Sequence, residues 1–124
     1  MLRAVRGAIT VERDGAEEVL DATEEMLCRV VELNGIEEDA VVSVLFTVTP
    51  DLTSTFPAAA ARKIGWTETP LMCAGEIPVP GALPRCIRLL LHFHTELAKD
   101  EIRHVYMKEA RSLRPDLVQE EESK

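Results

Sequence analysis

Two charged residues occupy positions that can support chemistry. Glu76 follows Cys73-Ala74-Gly75 in a loop stiffened by Pro78, Pro80 and Pro84, and Arg88 lies inside the apolar run Ile87 to Phe93. A guanidinium is permanently charged, so Arg88 can be buried only against a partner or a polar cavity. On an edge strand it would instead snorkel to solvent. Three more arginines, Arg6, Arg62 and Arg114, fall within strands or near element ends of an acidic chain. In such a chain a small anion must be captured by locally clustered guanidiniums, which grip carboxylates through paired N–H donors. The chemistry open to an acid and several arginines is therefore carboxylate recognition and electrostatic stabilisation of developing charge.

Other chemistries lack their signatures. There is no Gly-rich phosphate loop, HExxH, nucleophile elbow or dinucleotide glycine spacing, so no cofactor is expected. His92 and His94 share a strand face and could pair on a metal. Tetrahedral sites take three or more protein ligands, and no third accompanies them, so packing or an interface suits them better. Cys73 could be a nucleophile, but it has no His-Asp partner set, and a free cysteine is more often a small buried hydrophobe.

The elements that must position these groups follow from periodicity. Leu2 to Val11 alternates as a first strand, with Arg3, Val5 and Ile9 on one side and Leu2, Ala4, Arg6 and Ala8 on the other. Asp14 and Glu17 form a capping-box signal before a helix whose apolar residues repeat from Val19 to Val31 and which Asn34-Gly35 stops. Ala40 to Thr49 is almost continuously apolar, the pattern of a central strand covered on both faces. Pro57 to Ile64 reads as a short helix carrying Arg62, and Leu71 to Cys73 as a short strand. From Cys86 onward, alternation puts Arg88, Leu90, His92 and His94 on one face and Ile87, Leu89, Leu91 and Phe93 on the other. Ile102 to Met107 is a last strand carrying His104 and Tyr106, followed by a helical turn from Lys108 to Leu113. This order predicts an α/β or α+β fold with helices against a mixed sheet.

Composition narrows the partners. With 124 residues the chain is one domain, small enough for an oligomer interface to add much of its burial. A net charge of −8 and only 4% aromatic residues argue against nucleic acid, whose phosphates need a basic surface. Cys28, Cys73 and Cys86 are an odd set without CxxC spacing, consistent with reduced thiols. No N-terminal apolar segment or membrane-length run is visible, so a soluble, cytoplasmic protein is expected.

Six segments then agree in order and spacing with one family. VRGAITVERD (Val5 to Asp14), TPDLTSTFPA (Thr49 to Ala58), CAGEI (Cys73 to Ile77), CIRLLL (Cys86 to Leu91), IRHVY (Ile102 to Tyr106) and LRPDL (Leu113 to Leu117) resemble the AroH-type monofunctional chorismate mutases. The resemblance implies one domain over residues 1–118 with a charged tail at 119–124. It implies a homotrimer built around a barrel-like centre, with sites between neighbouring subunits. It also implies the cofactor-free rearrangement of chorismate to prephenate. By motif, Arg88 would meet the ether oxygen and a carboxylate, Arg6 and Tyr106 carboxylates, and Glu76 and Cys73 the ring. Phe56, Leu71, Met72 and Leu113 would line the substrate, with Arg62 and Arg114 at the mouth. Family members can carry a basic residue in the first turn of the second helix, but here that turn is Ala58 to Ala61. The competing expectation is a non-catalytic trimer that binds a small carboxylate metabolite.

Overall fold

The computed structural model describes residues 1–113. Five strands, β1 (Leu2–Thr10), β2 (Val41–Val48), β3 (Leu71–Gly75), β4 (Cys86–His94) and β5 (Val105–Met107), form one mixed sheet in the order β3-β2-β4-β1-β5. The central β4 runs antiparallel to both β1 and β2, while the outer strands β3 and β5 join in parallel. Two helices, α1 (Ala16–Asn34) and α2 (Ala58–Lys63), complete the layer on one side. The mixed sheet with helices on one face is the architecture expected above.

Burial explains the layering. On β4, Ile87, Leu89, Leu91 and Phe93 are buried under the helices with Val5, Ile9, Val44 and Phe46 from the neighbouring strands. The apolar stripe of α1, Val19, Ala22, Met26, Leu27 and Val30, closes this core. Gly7 lets α1 come close to the sheet. A Cβ there would lie 3.2 Å from each of Met26 Cγ, Val30 Cγ2 and Leu89 Cγ. Gly35, at φ 59°, provides the left-handed stop anticipated from Asn34-Gly35.

Four local expectations change. The capping box does not form: Gly15 is the N-cap of α1 without a side-chain bond. Asp14 instead accepts hydrogen bonds from Thr53 N (3.0 Å), Thr53 Oγ1 (3.1 Å) and Ser54 N (3.2 Å), pinning the loop before α2. Three converging donors hold a carboxylate better than a single capping bond. Second, β2 is covered on one face only: Val44 and Phe46 are buried, while Ser43, Leu45 and Thr47 are half-buried because both helices lie on the other side. Third, β3 runs on to Gly75, since Thr47 and Val48 offer partners to Ala74 and Gly75.

Fourth, the last strand is shorter than Ile102 to Met107. Buried Asn34 accepts from Arg103 N (2.8 Å) and donates to Arg103 O (2.9 Å). With those groups taken, Arg103 cannot join the ladder, and pairing with β1 begins at Val105. A 3-10 turn (Lys108–Leu113) follows β5 and covers part of the helix-free face through a small cluster of Ala8, Cys86, Tyr106 and Ala110.

Candidate active site

Cross-strand partners share a face, so register alone aligns one row of side chains across the helix-free side of the sheet. Tyr106, Ala8, Arg88, Thr47 and Ala74 are successive partners from β5 to β3. Ala8, between Tyr106 and Arg88, is buried in the small cluster under the 3-10 turn. Arg6 lies two residues before Ala8 on the same face and is exposed. Its backbone N–H donates to His104 Nδ1 at 3.0 Å, which joins β1 to the approach of β5.

Glu76 enters this row from the end of β3. Its backbone N–H donates to Val48 O (2.9 Å), and its Oε2 accepts from Thr47 Oγ1 (2.5 Å). The same Oε2 lies 3.2 Å from Arg88 Nε, with side-chain exposures of 29% for Arg88 and 16% for Glu76. This is an ion pair without a hydrogen bond, because the separation is short but Arg88 Nε has no partner in line with it. The edge-strand reading of Arg88 fails: β4 is central, and its guanidinium is held by an acid.

The other buried polar atom without a hydrogen-bond partner among the described residues is the Tyr106 hydroxyl. Tyr106 is 2% exposed. Buried polar groups are almost always paired, and an orphaned one costs about 1–3 kcal/mol. Two such atoms lie in one row, beside the Glu76 carboxylate, and can take acceptors that the described residues do not supply.

The start of β4 is fixed separately. Asp51 accepts from Arg85 N (3.2 and 3.0 Å) and from Thr49 Oγ1 (2.6 Å), while Thr49 Oγ1 also accepts from Cys86 N (3.0 Å). Arg85 takes the uncommon φ of 50° to make this junction. Cys86, fully buried between Asp51 and Arg88, has its thiol pushed up to about 11, chiefly by burial. It is neutral at physiological pH and has no nucleophilic character.

The remaining residues singled out from sequence divide. Leu113 packs on the Ala8–Tyr106 cluster, next to the row. Leu71 and Cys73 pair with Val44 and Phe46 and pack against the helix-side core, away from Arg88. Met72 points to the helix-free face, where it lines an apolar depression with Ser43, Leu45, Pro70, Leu90 and His92. Phe56, 70% exposed just before α2, and exposed Arg62, in the last turn of α2, are not brought to the row within one chain. Arg114 and the 119–124 tail lie outside the described residues. Thr47 and Ala8 were not singled out from sequence, since only register sets them beside Arg88. Among the described residues no three His, Cys, Asp or Glu side chains converge as a metal site, and no helix is long and apolar enough to cross a membrane.

Comparison with known proteins agrees with this architecture. The chain matches the family model described as chorismate mutase type I over residues 2–117. It is 53% identical to a chorismate mutase AroH of Thermus thermophilus over 118 residues, covering 94% of this chain and 97% of that protein. To a chorismate mutase AroH of Bacillus subtilis (strain 168) it is 44% identical over 118 residues, covering 94% and 93%. The solved structure of a chorismate mutase from Clostridium thermocellum superposes with a TM-score of 0.88 at 48% identity, covering 89% of this chain and 98% of that one. With near-complete coverage in sequence and in fold, this chain belongs to the type I chorismate mutase family.

Proposed function

We propose that the protein is an isomerase that converts chorismate to prephenate, the step leading toward phenylalanine and tyrosine, and works as a cytoplasmic homotrimer. The observation that carries this reading is the pair of buried, unpaired donors, Arg88 Nε and Tyr106 OH, in one row with Glu76. Chorismate carries two carboxylates and an ether oxygen, acceptors of the kind these donors lack. Arg88 reaches the ether oxygen and a carboxylate, and Arg6 and Tyr106 hold carboxylates. Glu76 faces the ring and its hydroxyl.

The rearrangement is unimolecular, so the protein need only hold a compact conformer and set charge where charge develops. As the ether bond breaks, its oxygen gains negative charge and the ring fragment positive charge. A guanidinium at one end and a carboxylate at the other stabilise that dipole more in the transition state than in the substrate. Glu76 beside Arg88 also keeps the guanidinium oriented before substrate arrives.

Phe56, Arg62, Leu71 and Met72 complete the site from an adjacent subunit, and Arg114 adds to substrate capture. Support for this comes from the separation of Phe56 and Arg62 from the row within one chain and from the half-exposed apolar face of β2 and β4. Leu113 walls the substrate beside Tyr106, and Cys73, set away from the row within its own chain, meets the ring from the adjacent subunit.

The test is to mix purified protein with chorismate and follow loss of its ultraviolet absorbance together with appearance of prephenate. Turnover is expected. Binding of chorismate without turnover would mean a metabolite-binding protein and would overturn the enzymatic reading.

A further inference from the structure

The row contains a hydroxyl for which the reading above has no task. Thr47 stands directly opposite Arg88 in the β2–β4 register, and its Oγ1 donates to Glu76 Oε2 at 2.5 Å. That oxygen is the one 3.2 Å from Arg88 Nε. Glu76 itself belongs to no strand; its backbone N–H is held by Val48 O, and among the described residues its side chain accepts from the Thr47 hydroxyl.

We infer that Thr47 is a positioning residue that keeps the Glu76 carboxylate from collapsing onto the Arg88 guanidinium. A free carboxylate next to an arginine settles into paired N–H···O contacts with both oxygens. Here the contact is single and unaligned, since Arg88 Nε is left without a hydrogen bond. The Thr47 hydroxyl fixes Oε2 from the β2 side and turns the carboxylate plane. Oε1 then remains free for a donor arriving with the substrate, and Arg88 keeps its N–H groups for the substrate's oxygens. Without the hydroxyl, acid and arginine would satisfy one another, and both charges would be withdrawn from the reacting bond. A methyl-bearing strand residue suffices for packing at this half-buried position, so the hydroxyl is not required by the fold.

This inference rests on the chorismate mutase reading, and its test separates the two. Wild-type protein, Thr47→Val and Thr47→Ser are compared for kcat, KM and melting temperature. Thr47→Val keeps the branched shape and is expected to melt at or above the wild-type temperature while losing at least about tenfold in kcat, because a hydrogen bond to a charged group is gone. Thr47→Ser keeps the hydroxyl and is expected to stay within about threefold of wild type in kcat even where its melting temperature falls. Opposite orders for stability and turnover are what a merely structural threonine cannot give. Thr47→Val within about twofold of wild-type kcat, or equal losses in the Val and Ser variants, overturns the inference. Should Thr47→Val not fold, Thr47→Ala against Thr47→Ser makes the same comparison. Wild-type protein that leaves chorismate unchanged overturns the proposed function, and this inference with it; turnover insensitive to Thr47 overturns the inference alone.

Discussion

Arg88 carries a permanent charge on a strand whose other face is wholly buried, and Glu76 is the acid paired with it among the described residues. An arginine kept for structure alone would be fully hydrogen-bonded, whereas Arg88 Nε is not. Arg88→Ala is therefore expected to lower kcat by ~10²- to 10³-fold, or roughly 2.7–4 kcal/mol, the effect of removing a preorganised donor. Arg88→Lys should be severely impaired too, because a point charge lacks the planar fork that spans two oxygens. Steady-state kinetics on folded variants decides this: turnover within about tenfold of wild type, ~1.4 kcal/mol, would make Arg88 structural. Cysteine chemistry should be dispensable. Cys86 is held protonated by burial and Cys73 packs against the core, so Cys73→Ser should retain substantial activity, and Cys86 should resist alkylation until the protein unfolds. Loss of turnover in folded Cys73→Ser, or rapid labelling of native Cys86, would contradict these roles.

Elements hold the row through two tight junctions. Where α1 crosses β1, Gly7 has ordinary strand geometry, so space rather than backbone freedom decides its identity. Gly7→Ala would press on Met26, Val30 and Leu89 and should destabilise by about 1–3 kcal/mol in denaturant titrations. A change under ~0.5 kcal/mol would mean that the helix moves away freely. Where the loop before α2 meets the start of α1, the backbone N–H of Thr53 chiefly, then Ser54, holds the Asp14 carboxyl below the ordinary carboxylate value of 3.8. A depressed folded pKa means that this contribution is present at neutral pH and is lost as pH falls below 3.8 through the folded value. Asp14→Asn should thus melt lower than wild type at pH 7, with the gap narrowing as pH falls from about 5 toward 2. A gap that is constant across that range would assign the effect to shape instead of charge.

For the whole molecule, the helix-free face is the unfinished part. Leu45, Leu90 and Met72 lie there with no second layer among the described residues, while Phe56 and Arg62 stand away from Arg88. A closed trimer would cover the face and let one subunit's Phe56 and Arg62 meet another's Arg88. Sedimentation should give a trimer. Co-refolding Arg88→Ala with Arg62→Glu subunits should yield activity above the sum of the two parents, as about a quarter of shared sites would receive both intact halves. A fully active monomer, or mixtures no better than their parents, would place each site within one chain.

Much of this protein is written in local pattern. Alternation in Cys86 to His94 assigns Arg88 and Ile87 to opposite faces, Gly35 must stop a helix, and six segment matches carry the family, because each depends only on near neighbours in the chain. The relation of Thr47 to Glu76 was not legible there. Thr47 reads as one more residue of an apolar run, and its hydroxyl acquires a task only when β2, β3 and β4 fall into register. Asp14 misled for the same reason: its spacing to Glu17 suits a helix cap, but three donors from the loop at Thr53 and Ser54 compete for it across the fold. The strand at Ile102 was likewise cut short by Asn34, which is distant in sequence and takes both backbone groups of Arg103. Sequence determined which way each side chain faces along its own element. Tertiary structure decided which polar atoms find partners and which, at Arg88 and Tyr106, do not, since hydrogen bonding between distant segments depends on register that no single segment contains.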